Sequence, residues 1–251
     1  MSTLLEAQGI NKSFGAVVAA DNINIRISSG ERVSLVGSNG AGKTTFVNMI
    51  TGYMKPDTGR ITLAGHDITP LEPRLITRLG VARSFQIPQL YGDLSVLDNM
   101  LVANACHDHR LSFWLPARRP SAILRAETLL ERFRLSEHRD RRVAELPGGV
   151  RKLLDIAMAM TGRPKLLLLD EPTSGVSADE KFPMMQTIMD ALGHDADTTV
   201  LFVEHDMDIV ERYANRVLAF YAGRVIADDV PAIALKTDDV RRYVTGEILQ
   251  E

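Results

Sequence analysis

The sequence predicts an α/β protein with a parallel-sheet core, a small antiparallel β lobe and an inserted helical lobe. Three observations predict it. In the last third, apolar strands at Lys165 to Leu169, Thr199 to Val203 and Arg216 to Phe220 alternate with helical segments. That alternation is the mark of a parallel sheet with crossover helices. The first segment, Leu4 to Ile27, carries a period-two apolar pattern, as in Ile23-Asn24-Ile25-Arg26-Ile27, which suits half-buried strands. Between these regions, roughly Leu90 to Met160 is helical in character and reads as an insertion into the sheet.

Taken in order, the early strands end in a turn at Ser28-Ser29-Gly30-Glu31. A short apolar strand from Arg32 to Val36 leads into a glycine-rich loop and a helical pattern from Thr44 to Thr51. Arg60 to Gly65 reads as a further strand entering a turn. In the helical stretch, Ala122 to Phe133 places apolar residues at helical spacing among charges. Before it, Ser112 to Ser121 holds two prolines and reads as a loop or broken helix.

The bulk numbers set bounds. The chain has 251 residues, enough for a sizeable core, with 45% hydrophobic and 24% charged residues, an ordinary globular composition. A net charge of −3 gives no basic footprint, so no nucleic-acid partner is expected. Cys106 is the sole cysteine, which excludes an internal disulfide and a cysteine zinc site and suits a reducing compartment. Residues Met1 to Glu6 lack the pattern of a secretory signal, and no apolar run is long enough to span a bilayer. A role at a membrane would need another protein to hold this one there.

The segment Gly37-Ser38-Asn39-Gly40-Ala41-Gly42-Lys43-Thr44 matches the phosphate-loop pattern G-x-x-x-x-G-K-[ST] in full. Its glycines let backbone N–H groups converge as an anion nest, and the following helix adds its positive N-terminal end. Lys43 would reach the terminal phosphates and the Thr44 hydroxyl would ligate Mg²⁺, with Thr45 beside it. A glycine turn ending in Lys-Thr by chance is the competing reading; the apolar strand before it and the helix after it weigh against chance. The second piece is Leu166-Leu167-Leu168-Leu169-Asp170-Glu171. An apolar run ending in two acids describes a buried strand delivering carboxylates to the sheet's carboxyl edge. Asp170 suits Mg²⁺, directly or through water, and Glu171 suits the general base for an attacking water.

This order of motifs resembles the nucleotide-binding subunit of ABC transporters along essentially the whole chain, as a single domain of residues 1–251 with the helical lobe inserted at about 90–160. The resemblance implies ATP and Mg²⁺ as ligands, with Thr44, Gln86 and Asp170 on the metal. It implies that His205, after Thr198-Thr199-Val200-Leu201-Phe202-Val203-Glu204, is the switch histidine facing the γ-phosphate. Gln86 in Arg83-Ser84-Phe85-Gln86 matches the glutamine that senses Mg²⁺ and water, and Phe14 the aromatic on which adenine stacks. Alone, each would be unremarkable: a strand-end histidine, a surface glutamine, an edge phenylalanine.

The signature falls at Leu146-Pro147-Gly148-Gly149-Val150, where the family usually has Leu-Ser-Gly-Gly-Gln. Both glycines are present, and a helix expected to start near Arg151 can still offer N–H donors to a γ-phosphate. Pro147 removes the hydroxyl, and Ser177 stands where many members carry an aspartate. In the family two cassettes dimerise head to tail, so Pro147 would alter the partner's site rather than the one built on Lys43.

Within the family, three features resemble the branched-chain amino-acid uptake group. They are the run from Arg83 to Asn99, the inserted His107 to Arg125, and Glu204-His205-Asp206-Met207 with the tail Arg241 to Gly246. The implied partners are integral-membrane permease subunits, a second ABC ATPase (identical or different) and, indirectly, a solute-binding protein. The implied location is peripheral, on the cytoplasmic face of the inner membrane. An exporter ATPase, a soluble non-transport ABC ATPase and a binding-only subunit are the alternatives. Cys106 to His109 is read as a polar loop rather than a metal cluster, and His66, His138 and His194 as surface turn residues. Phe113-Trp114-Leu115 is read as packing on the helical lobe or touching a membrane protein.

Overall fold

The computed structural model describes residues 2–107, 118–194 and 197–246. Phe113-Trp114-Leu115 and His109 lie outside them. The chain divides into two compact units, Met1–Val81 with Thr199–Glu251, and Ala82–Thr198.

In the first unit, β1 (Thr3–Phe14) and β2 (Val17–Ser28) pair antiparallel. The alternation predicted for β2 is met: Ile23, Ile25 and Ile27 are buried while Asn24 and Arg26 are exposed. After β3 (Arg32–Val36) and α1 (Lys43–Ile50), the chain adds β4 (Thr58–Leu63) and β5 (His66–Asp67). These close a four-stranded sheet in the order β2-β1-β4-β5. Helix α2 (Pro73–Arg78) starts with proline in its first turn, where a missing N–H costs nothing.

The second unit opens within β6 (Val81–Ser84), at Ala82. Its helices are α3 (Val96–His107), α4 (Pro120–Arg132) and α5 (Gly148–Met160). On α4 the buried residues Ala122, Ala126 and Leu130 recur every four positions, a single apolar stripe. Helix α5 begins at Gly148 rather than near Arg151. Pro147 sits at its N-cap with extended backbone (ψ 155°), and both glycines join the first turn despite their poor helical propensity. Strand β7 (Leu166–Asp170), hydrogen-bonded to β6, is buried through its four leucines, and α6 (Ala178–Gly193) follows. His138 ends a short 3-10 turn as a turn residue, but it is less exposed than a surface position implies. Its side chain is only 15% exposed, and its Nδ1 is buried without a hydrogen-bond partner.

The chain then returns to the first unit with β8 (Thr199–Val203), α7 (Met207–Tyr213), β9 (Arg216–Tyr221), β10 (Arg224–Asp229), α8 (Pro231–Ala234) and α9 (Asp238–Val240). β3 lies between β8 and β9, parallel to both, with β10 antiparallel on the outer side of β9. Val36, Val210, Val217, Ala219, Ala234 and Val240 form one buried cluster under this sheet. Nearby, the rings of Phe46 and Phe220 pack 5.7 Å apart. Among the described residues, no helix is long and apolar enough to cross a membrane.

Candidate functional site

Leu35 pairs with Val203 on β8 and Leu218 on β9, so the carboxyl ends of β3 and β8 lie side by side. The loop after β3 and the Glu204-His205 step after β8 therefore open on the same sheet edge, where ligands of parallel sheets bind. Two glycines of the loop are required by its own surroundings. Gly37 has φ 151°, and a Cβ there would come within 2.4 Å of the Phe220 carbonyl oxygen. Gly42 has φ 108°, and its Cβ would lie 2.4 Å from the Ala19 carbonyl oxygen. Gly40, at φ 80°, has nothing within 4 Å; only its left-handed backbone calls for glycine. The Ala41 N–H donates to Ser38 O at 3.1 Å, and the Gly223 N–H to Ala41 O at 3.0 Å, holding the loop's shape.

Lys43, at the head of α1, is only 6% exposed. Its Nζ donates to the carbonyls of Gly37 at 2.6 Å and Ser38 at 3.1 Å, so the ammonium is wrapped in the loop it serves. Thr44 is exposed and Thr45 half-buried in the same turn. A loop whose residues 37, 40 and 42 hold positive φ, with a buried cation against its carbonyls, fits a phosphate chain. His205 is exposed after β8; its N–H donates to Oε2 of Glu204, which is 3% exposed, at 3.2 Å. Phe14 is 48% exposed near the end of its strand, with Lys12 Nζ 5.6 Å from its ring centroid. A half-exposed ring suits stacking on a base.

The second unit gathers the other predicted residues. Gln86 Nε2 donates to Glu171 Oε2 at 2.8 Å, although 85 residues separate them in sequence. That bond leaves the glutamine's amide oxygen as the atom suited to a cation. Glu171 sits at φ 47°, a left-handed backbone that costs a non-glycine residue about 1–2 kcal/mol. Such cost at a carboxylate just past a buried strand is characteristic of functional positions. Asp170 is held through Oδ2 by Arg83 at 2.6 Å, with side chains 14% and 10% exposed. An acid already engaged by a guanidinium fits a cation held through water better than one bound directly. Gly148 and Gly149 form the first turn of α5, which has no side-chain cap. A Cβ on either would meet nothing within 4 Å.

Three residues of this unit were missed by sequence reasoning: Arg83, Lys152 and Asp155. Arg83 was legible only as part of a motif around Gln86. Lys152 and Asp155 did leave a signal, since they sit three apart among Leu153, Leu154, Ile156 and Ala157, charges placed on an otherwise apolar face.

The family model for ABC transporters matches residues 20–174. The chain is 36% identical over 251 residues to the high-affinity branched-chain amino acid transport ATP-binding protein LivG of Escherichia coli K12, covering 97% of this chain and 98% of that one. It is 34% identical over 253 residues to BraF of Pseudomonas aeruginosa, a protein of the same description, with the same coverage. Among solved structures, the ADP conformation of MJ1267, an ATP-binding cassette of an ABC transporter, superposes with a TM-score of 0.86. It is 31% identical, and the match covers 98% of this chain and 100% of that one. The chain thus belongs to the ABC transporter family as an ATP-binding subunit and ATPase, homologous along nearly its whole length to branched-chain amino-acid transport ATPases.

Proposed function

We propose that this ATPase drives an ABC importer for branched-chain amino acids or related small solutes, working as one of two cassettes beneath permease subunits. The observation that carries the reading is kinship with LivG over 97% of the chain, which takes in the segment after Gln86 and the tail. A match restricted to the phosphate loop would support ATP binding alone. An exporter or a soluble ABC ATPase is the weaker reading.

In this reading the nest of residues 37–45 binds the phosphates, Lys43 neutralises the terminal ones and Phe14 stacks on adenine. Thr44, the Gln86 amide oxygen and Asp170 would hold Mg²⁺, which supplies charge neutralisation on the phosphates. Glu171 accepts the proton of the attacking water while the Gln86 amide fixes its carboxylate, and His205 steadies the γ-phosphate. The open first turn of α5 has donors and no side-chain cap, so Gly148 and Gly149 are free to meet a nucleotide on a second cassette, identical or different. Pro147 withholds a hydroxyl from that partner's site, not from this chain's own. Attachment to a permease through the surface near Gln86 places the protein peripherally on the cytoplasmic face of the membrane.

Reconstitution in proteoliposomes with its permease and binding protein tests this. ATP-dependent accumulation of labelled leucine, isoleucine or valine, abolished by Glu171→Gln, is the expected result. Hydrolysis unaffected by the permease, or ATP-driven efflux of preloaded solute, would overturn it.

A further inference from the structure

Helix α5 buries two charged side chains on one face, Lys152 at 3% and Asp155 at 7% exposure. Both reach the backbone that carries Gln86. Lys152 Nζ donates to the carbonyls of Phe85 at 2.9 Å and Gln86 at 2.8 Å, and to that of Asp170 at 3.3 Å. Asp155 accepts the N–H of Phe85 at 3.1 Å and of Gln89 at 3.3 Å. Four of these bonds run to main-chain atoms of residues 85–89, which are thus gripped by carbonyl and by N–H from the same helix.

Stability alone is a poor reason for this arrangement. Desolvating each ion costs several kcal/mol, and apolar residues of similar volume would pack the same space more cheaply. Burial pushes the Asp155 carboxyl above its ordinary value in spite of the two N–H groups, Lys152 and the Ser84 hydroxyl. The pair sits within the first two turns of a helix headed by Gly148 and Gly149. Its third acceptor, the Asp170 carbonyl, belongs to the peptide that leads into Glu171. One ammonium thus touches the backbone of both Gln86 and the acidic strand end.

We infer that Lys152 and Asp155 are positioning residues, a clamp that fixes the Gln86 segment and the Asp170-Glu171 peptide to the head of α5. A shift of the glycine turn is thereby delivered to the Gln86–Glu171 hydrogen bond. The inference rests on the proposed roles of Gln86 and Glu171.

The test uses the full-length chain with Lys152→Met, Lys152→Arg, Asp155→Ala and Asp155→Asn, singly and with Gln86→Ala. Lys152→Met should lower kcat for ATP at least about tenfold with KM little changed, and Lys152→Arg should recover most of the loss. In the Gln86→Ala background Lys152→Met should cost clearly less than in the wild type, since one of the two groups it positions is gone. Asp155→Ala should speed hydrogen exchange at the Phe85 and Gln89 amides at least about tenfold while β3 amides keep their protection. Where Asp155→Ala fails to fold, Asp155→Asn is read for a smaller loss at the same amides. Unchanged exchange at Phe85 and Gln89, or full additivity of Lys152→Met with Gln86→Ala, would overturn the clamp. Intact turnover in Gln86→Ala and Glu171→Gln would instead refute the catalytic reading, and the exchange measurement would still decide the clamp.

Discussion

The phosphate loop and the head of α5 are both glycine turns leading into helices, yet their glycines answer to different demands. Gly37 and Gly42 are enforced by the chain itself, because a Cβ at either would press on a backbone oxygen at 2.4 Å. Gly148 and Gly149 face nothing within 4 Å, and no local contact explains them. Contacts within its own unit explain the glycines of the first turn, whereas those of the second face open space. The same contrast extends to the lysines. Lys43 bonds to carbonyls of its own loop, while Lys152 reaches from α5 to residues 85, 86 and 170. In the proposed reading the first unit receives the nucleotide, and the second holds Gln86 and Glu171 in register with the first turn of α5.

Substitution at these glycines sharpens the contrast. Gly42→Ala should have the largest effect. Its methyl group meets the Ala19 carbonyl, and its backbone lies at φ 108°, a combination expected to cost about 1–3 kcal/mol in stability. Equilibrium titration with a fluorescent ATP analogue should show affinity lost by at least about tenfold. Gly149→Ala should leave folding and nucleotide affinity of the isolated chain unchanged and slow only turnover of the assembled transporter. Equal losses of affinity from the two substitutions would erase the distinction.

Asp155 gives the smallest effect, read as a slope with pH. Its carboxyl is raised above the ordinary 3.8 by burial first, against two backbone N–H groups, Lys152 and the Ser84 hydroxyl. The folded chain therefore binds this proton more tightly than the unfolded chain. That contribution is full below 3.8 and is lost as pH rises through the raised folded value. Wild type should accordingly lose stability relative to Asp155→Asn as pH climbs through that window, measured by urea unfolding at a series of pH values. Parallel curves would show that the carboxylate is not desolvated there.

Much of this was legible in sequence because it is written in local pattern. The strand at Arg32 to Val36 and the apolar run into Asp170-Glu171 are contiguous, and the loop glycines encode a backbone shape. Pairings between distant residues left weaker traces. The Gln86–Glu171 bond spans 85 positions, and the Arg83–Asp170 bridge 87. Neither follows from periodicity. The start of α5 was misjudged by three residues, since glycines argue against helix whereas Pro147 at the N-cap in extended conformation starts one there. The partial burial of His138 leaves no trace among its charged neighbours Glu137, Arg139 and Asp140, although its Nδ1 is covered.

The central claim is a division of labour: the first unit binds nucleotide and the second turns it over. Affinity and single-turnover hydrolysis, measured side by side for Lys43→Ala and Glu171→Gln in the full-length chain with its permease, test it most directly. The account predicts a double dissociation. Lys43→Ala should lose affinity for the ATP analogue, because the buried ammonium of the nest is gone. Glu171→Gln should keep that affinity and lose about 10²–10⁴-fold in hydrolysis, the usual worth of a general base. Hydrolysis by Glu171→Gln within a few-fold of wild type, or an affinity loss matching that of Lys43→Ala, would contradict it.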